Sequence, residues 1–240
     1  MLKYNMKIIG IIPARYNSQR LSNKPLININ GKPLIQCTYE AVLNSKVFDL
    51  IYITTDSEKI KKIVEQFGAK CILTSIKHRN GTERCVELIN KLKATISNND
   101  LIVNTQCDEP FLEREHFEKI ISLFNNPTAI GTLICPLEST DFKDQSIVKV
   151  MTNSNHMALD FKRTINSEKK LYKHIGIYAY KVSTLLKLGK LALGKRELNE
   201  SLEQLRWLEN NYRIHCGLIK KNVISINTKN DLKKVIKNIK

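Results

Sequence analysis

LIYITTDSEKIKKIVEQFG (50–68) holds a strand, a turn and a helix in one short stretch. The apolar run LIYITT is rich in β-branched residues and stops at Asp56 and Ser57, residues suited to turns and helix caps. Apolar residues then recur at helical spacing (Ile60, Ile63, Val64, Phe67), and Gly68 supplies the C-terminal stop. AKCILT follows at once. Strand, helix and strand in that order are the signature of a parallel βαβ unit.

Working outward, the same alternation extends both ways. KIIGIIPA (7–14) reads as a buried strand and PLIQCTYEAVLNS (33–45) as a helix. Downstream come a helix through 83–92, the strand DLIVNTQ and a helix near 115–124. The expected fold class is therefore α/β, a mainly parallel sheet with helices on both faces. From about Ala129 the runs AIGTLICPL, IVKVM, HMALDF and HIGIYAY crowd together with no room for crossover helices, which predicts antiparallel strands. We expect one domain over 1–240, with a small antiparallel lobe formed within about 129–215. A helix over 198–210 places Leu198, Leu202, Leu205 and Leu208 on one face; RIHCGLI, VISIN and a basic terminal helix end the chain.

Composition narrows the function. With 42% hydrophobic residues the chain is globular. Its apolar runs are too short to span a bilayer, and the first residues lack a signal-peptide core, so a cytoplasmic location without membrane insertion is expected. The six cysteines form no CxxC pair, which argues against a zinc site or a disulfide framework. The net charge of +16 is uneven: residues 151–240 carry 19 Lys and Arg against 7 Asp and Glu. Such an excess attracts polyanions, but no nucleic-acid-binding module accompanies it, and Lys and Asn are abundant throughout.

In open parallel sheets ligands bind beyond the carboxyl ends of the strands. The loops to inspect begin at Pro13, Asp56, Thr74 and Gln106. The first, PARYNSQRLSNKPL (13–26), has neither a GxGxxG nor a Walker motif, yet brings Arg15, Arg20 and Lys24 together. Three cations at a strand end suit a polyphosphate, and equally describe a solvated loop. Across the expected crevice, NTQCDEP (104–110) ends in Asp108 and Glu109. A carboxylate facing phosphates calls for a divalent cation such as Mg²⁺, unless Asp108 merely caps a turn and Glu109 is exposed. In HRNGTERC (78–85), Thr82 is placed to cap the next helix.

Taken in order, IIPARYNSQRLSNKPL, INGKPLI, TTD (54–56), NGTER, VNTQCDEP, KHIGIYAY and SLEQLRWLEN resemble the 3-deoxy-manno-octulosonate cytidylyltransferases, or CMP-Kdo synthetases, over nearly the whole chain. The resemblance implies an enzyme that couples CTP to the sugar acid Kdo, releasing pyrophosphate and making CMP-Kdo for lipopolysaccharide. It also implies a homodimer and Mg²⁺ as cofactor. On the matching positions, Pro13, Ala14, Arg15, Arg20 and Lys24 would hold the nucleotide, with Thr82 and Arg84 nearby. Gln106 would reach both ligands, and Asp108 would hold the metal. Arg163, His174, Tyr178, Glu203 and Gln204 would bind the sugar, Arg163 and His174 taking its carboxylate. Three of them have a plainer reading too: Glu203 pairing with Arg206, His174 as a satisfied strand histidine, Tyr178 as core.

Three positions depart from the family. Cys107 stands where QGDEP has glycine, raising the question of a positive φ there. Asn227, in INTKNDL, stands where the family's VDTPEDL has an aspartate that is a second ligand of the metal, so Asn227 would be an uncharged ligand. In ALDFKRTIN, Arg163 is kept while Asp160, Lys162, Thr164 and Asn166 are atypical. Besides a CMP-Kdo synthetase, these departures admit a cytidylyltransferase for a related sugar acid such as 8-amino-3,8-dideoxy-Kdo, or a non-catalytic nucleotide-binding homologue.

Overall fold

The computed structural model describes residues 6–17, 21–164 and 171–238. The first half runs β1 (Ile8–Ala14), the ribbon β2 (Asn28–Ile29) and β3 (Lys32–Pro33), α1 (Leu34–Asn44), β4 (Leu50–Thr55), α2 (Glu58–Gln66), β5 (Cys71–Leu73), α3 (Gly81–Lys91), β6 (Leu101–Thr105) and α4 (Arg114–Ser122). The second half runs β7 (Ile130–Pro136), β8 (Lys149–Thr152), β9 (Ala158–Lys162), β10 (Leu171–Lys181), α5 (Val182–Leu188), α6 (Lys195–Glu200), α7 (Glu203–Glu209), β11 (Ile214–Leu218) and α8 (Lys229–Asn238).

The sheet has the order β11, β7, β10, β6, β1, β4, β5. β1 pairs in parallel with β4 and β6, and β4 in parallel with β5, as the alternation requires. The run IIGII is apolar throughout because alternate residues serve two cores. Ile12 and Ala14 join Leu34, Ile60 and Phe117 on one face. Ile9 and Ile11 join Leu88, Leu185 and Trp207 on the other. At α2 the expected punctuation is present: Ser57 Oγ accepts the Ile60 N–H, and Gly68 takes φ +80°.

The antiparallel segment is differently placed than the sequence implied. β10 lies antiparallel between β6 and β7, and β11 runs parallel to β7, so all three belong to the main sheet. What remains of the lobe is the hairpin of β8 and β9, attached to the first residues of β10. The helix expected over 198–210 is two helices, broken where Ser201 adopts a left-handed φ of 52°. Leu198 is left 61% exposed, while Leu202 and Leu205 are buried. The break turns the start of α7, Glu203 and Gln204, toward the crevice. VISIN forms no strand: residues 222–227 belong to no helix or ladder.

Candidate active site

The loops beyond β1, β5 and β6 surround a crevice of about 660 Å³. Pro13 and Arg15 lie on its wall, Arg15 exposed, whereas Ala14 is buried beneath them. Lys24 opens a 3-10 turn and reaches across the crevice. Its Nζ donates to Asp108 Oδ2 at 2.5 Å and to Asn227 Oδ1 at 3.3 Å. Residues 24, 108 and 227, far apart in sequence, thus meet at one ammonium. Arg20 lies outside the described residues.

Arg84 lines the crevice, as expected of a residue near the nucleotide, and also ties its loops together. It is buried and pairs with Asp56 Oδ2 at 2.7 Å, while its Nη1 donates to Thr74 Oγ1 (2.9 Å) and the Ser75 carbonyl (3.1 Å). Asp56 Oδ1 accepts the Tyr16 N–H at 2.9 Å. One ion pair therefore ties together the loops after β1, β4 and β5. Thr82 does not cap α3. Asn80 Oδ1 accepts the Glu83 N–H at 2.9 Å, and Thr82 is buried within the first turn.

In the loop after β6, Asp108 faces the crevice and Glu109 is buried rather than exposed. Glu109 Oε1 accepts the Gly176 N–H and the Ser225 hydroxyl, both at 2.8 Å. Burial, and then the charge of Asp108, push its carboxyl up to about 7. A Cβ on Gly176 would sit 2.7 Å from Glu109 Oε1 and 2.9 Å from Gln106 Oε1, so the glycine of HIGIY is what admits these side chains. Cys107 carries no positive φ, and the feared strain is absent. Its thiol packs in the core, its pKa raised by burial, and its carbonyl accepts the Thr38 hydroxyl at 2.7 Å.

At the other end lie the expected sugar residues. The Thr132 hydroxyl donates to the Ile177 carbonyl at 2.7 Å, so its contact with His174 Nε2 at 2.9 Å assigns the ring proton to Nε2. Burial, then the charge of Arg163, lower the His174 pKa to about 3. The imidazole is therefore neutral and its Nδ1 is an acceptor, which suits a sugar hydroxyl rather than the carboxylate it was expected to bind. Tyr178 packs against His174 and, edge-on, against Trp207 (centroids 5.2 and 5.0 Å), and its buried hydroxyl has no hydrogen-bond partner. Arg163 lines the crevice while donating to the carbonyls of Gln145, Ser146 and Glu200 at 3.2–3.4 Å. Glu203 pairs with Arg206 at 3.7 Å, and burial pushes its carboxyl up to about 7. Gln106 and Gln204 line the same space, and Thr82 does not.

Of the atypical residues beside Arg163, Asp160 pairs with Arg196 and Lys162, and neither Asp160, Lys162 nor Thr164 lines the crevice. Asn166 lies outside the described residues. The three described departures therefore give no ground for a different sugar. The sequence reading missed Asp56, Asn80, Lys173, Asn222 and Ser225. Asp56 stood in the quoted TTD and Lys173 in KHIGIY; nothing local marked Asn222 or Ser225.

Asp108 and Asn227 present a carboxylate and an amide oxygen to one cation, here the Lys24 ammonium. Both are hard oxygen donors that fit Mg²⁺, an ion that completes its shell with phosphate and water. Among the described residues no group of three or more His, Cys, Asp or Glu could hold a metal unaided.

A mainly parallel sheet carrying cations and a carboxylate at its strand ends has the architecture of an α/β protein that binds a phosphorylated ligand in the crevice beyond its strands. Its fold is shared with a putative glucose-1-phosphate thymidylyltransferase from Bacillus anthracis, 17% identical, at a TM-score of 0.70 over 96% of this chain and 94% of that one. The cytidylyltransferase family profile matches residues 9–214. The 3-deoxy-manno-octulosonate cytidylyltransferases of Parabacteroides distasonis and Phocaeicola vulgatus are 41% and 42% identical, over 96% and 95% of this chain and 97% and 95% of theirs. A CMP:2-keto-3-deoxy-manno-octonic acid synthetase solved with CTP is 32% identical, with a TM-score of 0.86 over 97% of this chain and 98% of that one. The chain belongs to the 3-deoxy-manno-octulosonate cytidylyltransferase family.

Proposed function

We propose that the protein transfers CMP from CTP to the anomeric hydroxyl of Kdo, releasing pyrophosphate and supplying CMP-Kdo for lipopolysaccharide assembly in the cytoplasm. The observation that carries this reading is a single crevice with Arg15, Lys24 and Asp108 at one end and Arg163, His174, Tyr178 and Gln204 at the other. The sugar oxygen attacks the α-phosphorus as the bond to the pyrophosphate oxygen breaks. Lys24 and Arg15 lie where charge develops on the phosphates, and fixed charges in such a site lower the barrier without reorganising. Neutral His174 and the unpartnered Tyr178 hydroxyl meet sugar hydroxyls, and Arg163 meets the carboxylate. Asp108 and Asn227 would hold Mg²⁺, which when bound would supply Lewis acidity at the phosphates.

The reading includes a homodimer formed through the β8–β9 hairpin. Among the described residues β9 ladders with β8 alone, and Leu159 and Leu198 are 53% and 61% exposed. No described helix is long and apolar enough to cross a membrane.

Pyrophosphate release from CTP, with Kdo, its 8-amino analogue and N-acetylneuraminate offered separately across Mg²⁺ concentrations, tests the activity. Release is expected with Kdo and Mg²⁺. Absence of release with every sugar would sink the reading. Light scattering at micromolar concentration tests the dimer, and a monomer mass would remove it.

A further inference from the structure

Residues 222–227 cross the crevice as a strap between β11 and α8, held by no sheet ladder and no helix. Side chains and single backbone contacts hold the strap instead. Asn222 Oδ1 accepts from Lys173 Nζ at 2.9 Å, and its Nδ2 donates to Glu138 Oε1 at 2.7 Å. The Ser225 hydroxyl donates to Glu109 Oε1 at 2.8 Å, and the Ile226 N–H donates to the Asp108 carbonyl at 2.9 Å. After the strap, Asp231 Oδ2 accepts the N–H groups of Asn227 (3.0 Å) and Thr228 (2.8 Å), fixing the chain at the start of α8.

Glu109 occupies the middle of this arrangement. The same Oε1 that holds Ser225 holds the Gly176 N–H of β10, so one buried oxygen joins the central strand to the strap. Two residues beyond Ser225, Asn227 turns its amide oxygen to the ammonium shared with Asp108. Asp108 and Glu109 are neighbours, so the loop that supplies one oxygen donor also pins the segment supplying the other.

We propose that Glu109 is a positioning residue: through Ser225 it sets the strap so that Asn227 meets Asp108 at the divalent-cation site. This rests on the reading of Asp108 and Asn227 as the metal-holding pair. Partners one step removed from a ligand typically change metal affinity about 10–100-fold when lost.

Mn²⁺ binding to the full-length protein loaded with CTP, followed by water-proton relaxation, reads the site without turnover. Glu109→Ala and the milder Ser225→Ala are expected to weaken Mn²⁺ binding, the former about tenfold or more. CTP binding in the absence of metal should stay within about twofold, because the loops holding the nucleotide are tied by Arg84 and Asp56 instead. Glu109→Gln keeps an acceptor oxygen for Ser225 and Gly176 and should restore Mn²⁺ affinity. The inference is overturned if both alanine variants bind Mn²⁺ as the wild type does, or if they lose metal-free CTP binding in equal measure. Failure of the wild type itself to bind Mn²⁺ with CTP would instead remove the metal reading, and the inference with it.

Discussion

The two ends of the crevice differ in how their walls are tied together. At the nucleotide end, Arg84, Asp56, Thr74 and Tyr16 form a closed set of hydrogen bonds, and Lys24 already touches Asp108 and Asn227. At the sugar end, the Tyr178 hydroxyl and Trp207 Nε1 are buried without partners, and Glu203 makes a long ion pair with Arg206; at the nucleotide end Asn80 Nδ2 and Asn104 Oδ1 are likewise buried without partners. Buried polar atoms are normally satisfied, so those that are not mark where a ligand is expected to supply the missing group. The loops of the nucleotide end are tied to one another before the substrate arrives, while both ends keep buried polar atoms for a substrate to meet.

The comparison breaks first at Asp56. Asp56→Ala leaves a buried guanidinium without its partner and should lower stability by about 3–5 kcal/mol in urea titrations. A loss below about 1 kcal/mol would mean that the nucleotide end is not held by this pair. Next, Lys24→Met should reduce kcat/KM about 10²–10³-fold with the melting temperature little changed, because its charge serves the phosphates more than the fold. An equal loss of stability would make Lys24 structural.

His174 sharpens the sugar end through pH. Its folded pKa of about 3 lies below the ordinary 6.5, so between these values the unfolded chain takes up a proton that the folded imidazole refuses. Stability from this group is fully present above pH 6.5 and falls as the pH drops toward 3, by up to about 1.4 kcal/mol per pH unit. In unfolding titrations across that window, His174→Gln should flatten the slope; an unchanged slope would show that the ring is not held neutral. The smallest effect belongs to Tyr178→Phe. Removing an unpartnered hydroxyl should leave stability unchanged or slightly raised, while KM for Kdo rises about five- to tenfold. Lost stability would reveal a protein partner for the hydroxyl.

The parallel half was legible because its signals are local. LIYITT coincides with β4, and Ser57 and Gly68 punctuate α2 as read. The strand order was not legible: nothing in KHIGIYAY announces that it lies between two strands formed earlier in the chain. The break at Ser201 is hidden because the leucine periodicity runs straight through it. Asn80 and Thr82 are both good caps two residues apart, and only the backbone decides between them. Glu109 was given no role, with exposure as one alternative; its partner Ser225 lies 116 residues away, beyond any local pattern. The cationic loop and Asp108 were legible through the rule that ligands gather at strand ends, and the meeting with Asn227 came only with the family resemblance.

β10 has a consequence for how the protein is made. During synthesis β6 and β7 emerge well before residues 171–181, and neither can complete its pairing until β10 arrives between them. Until then β6 and β7 each leave an open edge toward the place β10 will fill, the kind of surface on which chains stick to one another. The strand that seals them also brings His174 and Tyr178. A ribosome stalled in the long interval before it would therefore release a product both catalytically empty and prone to aggregate, so that quality control could remove it by stickiness alone.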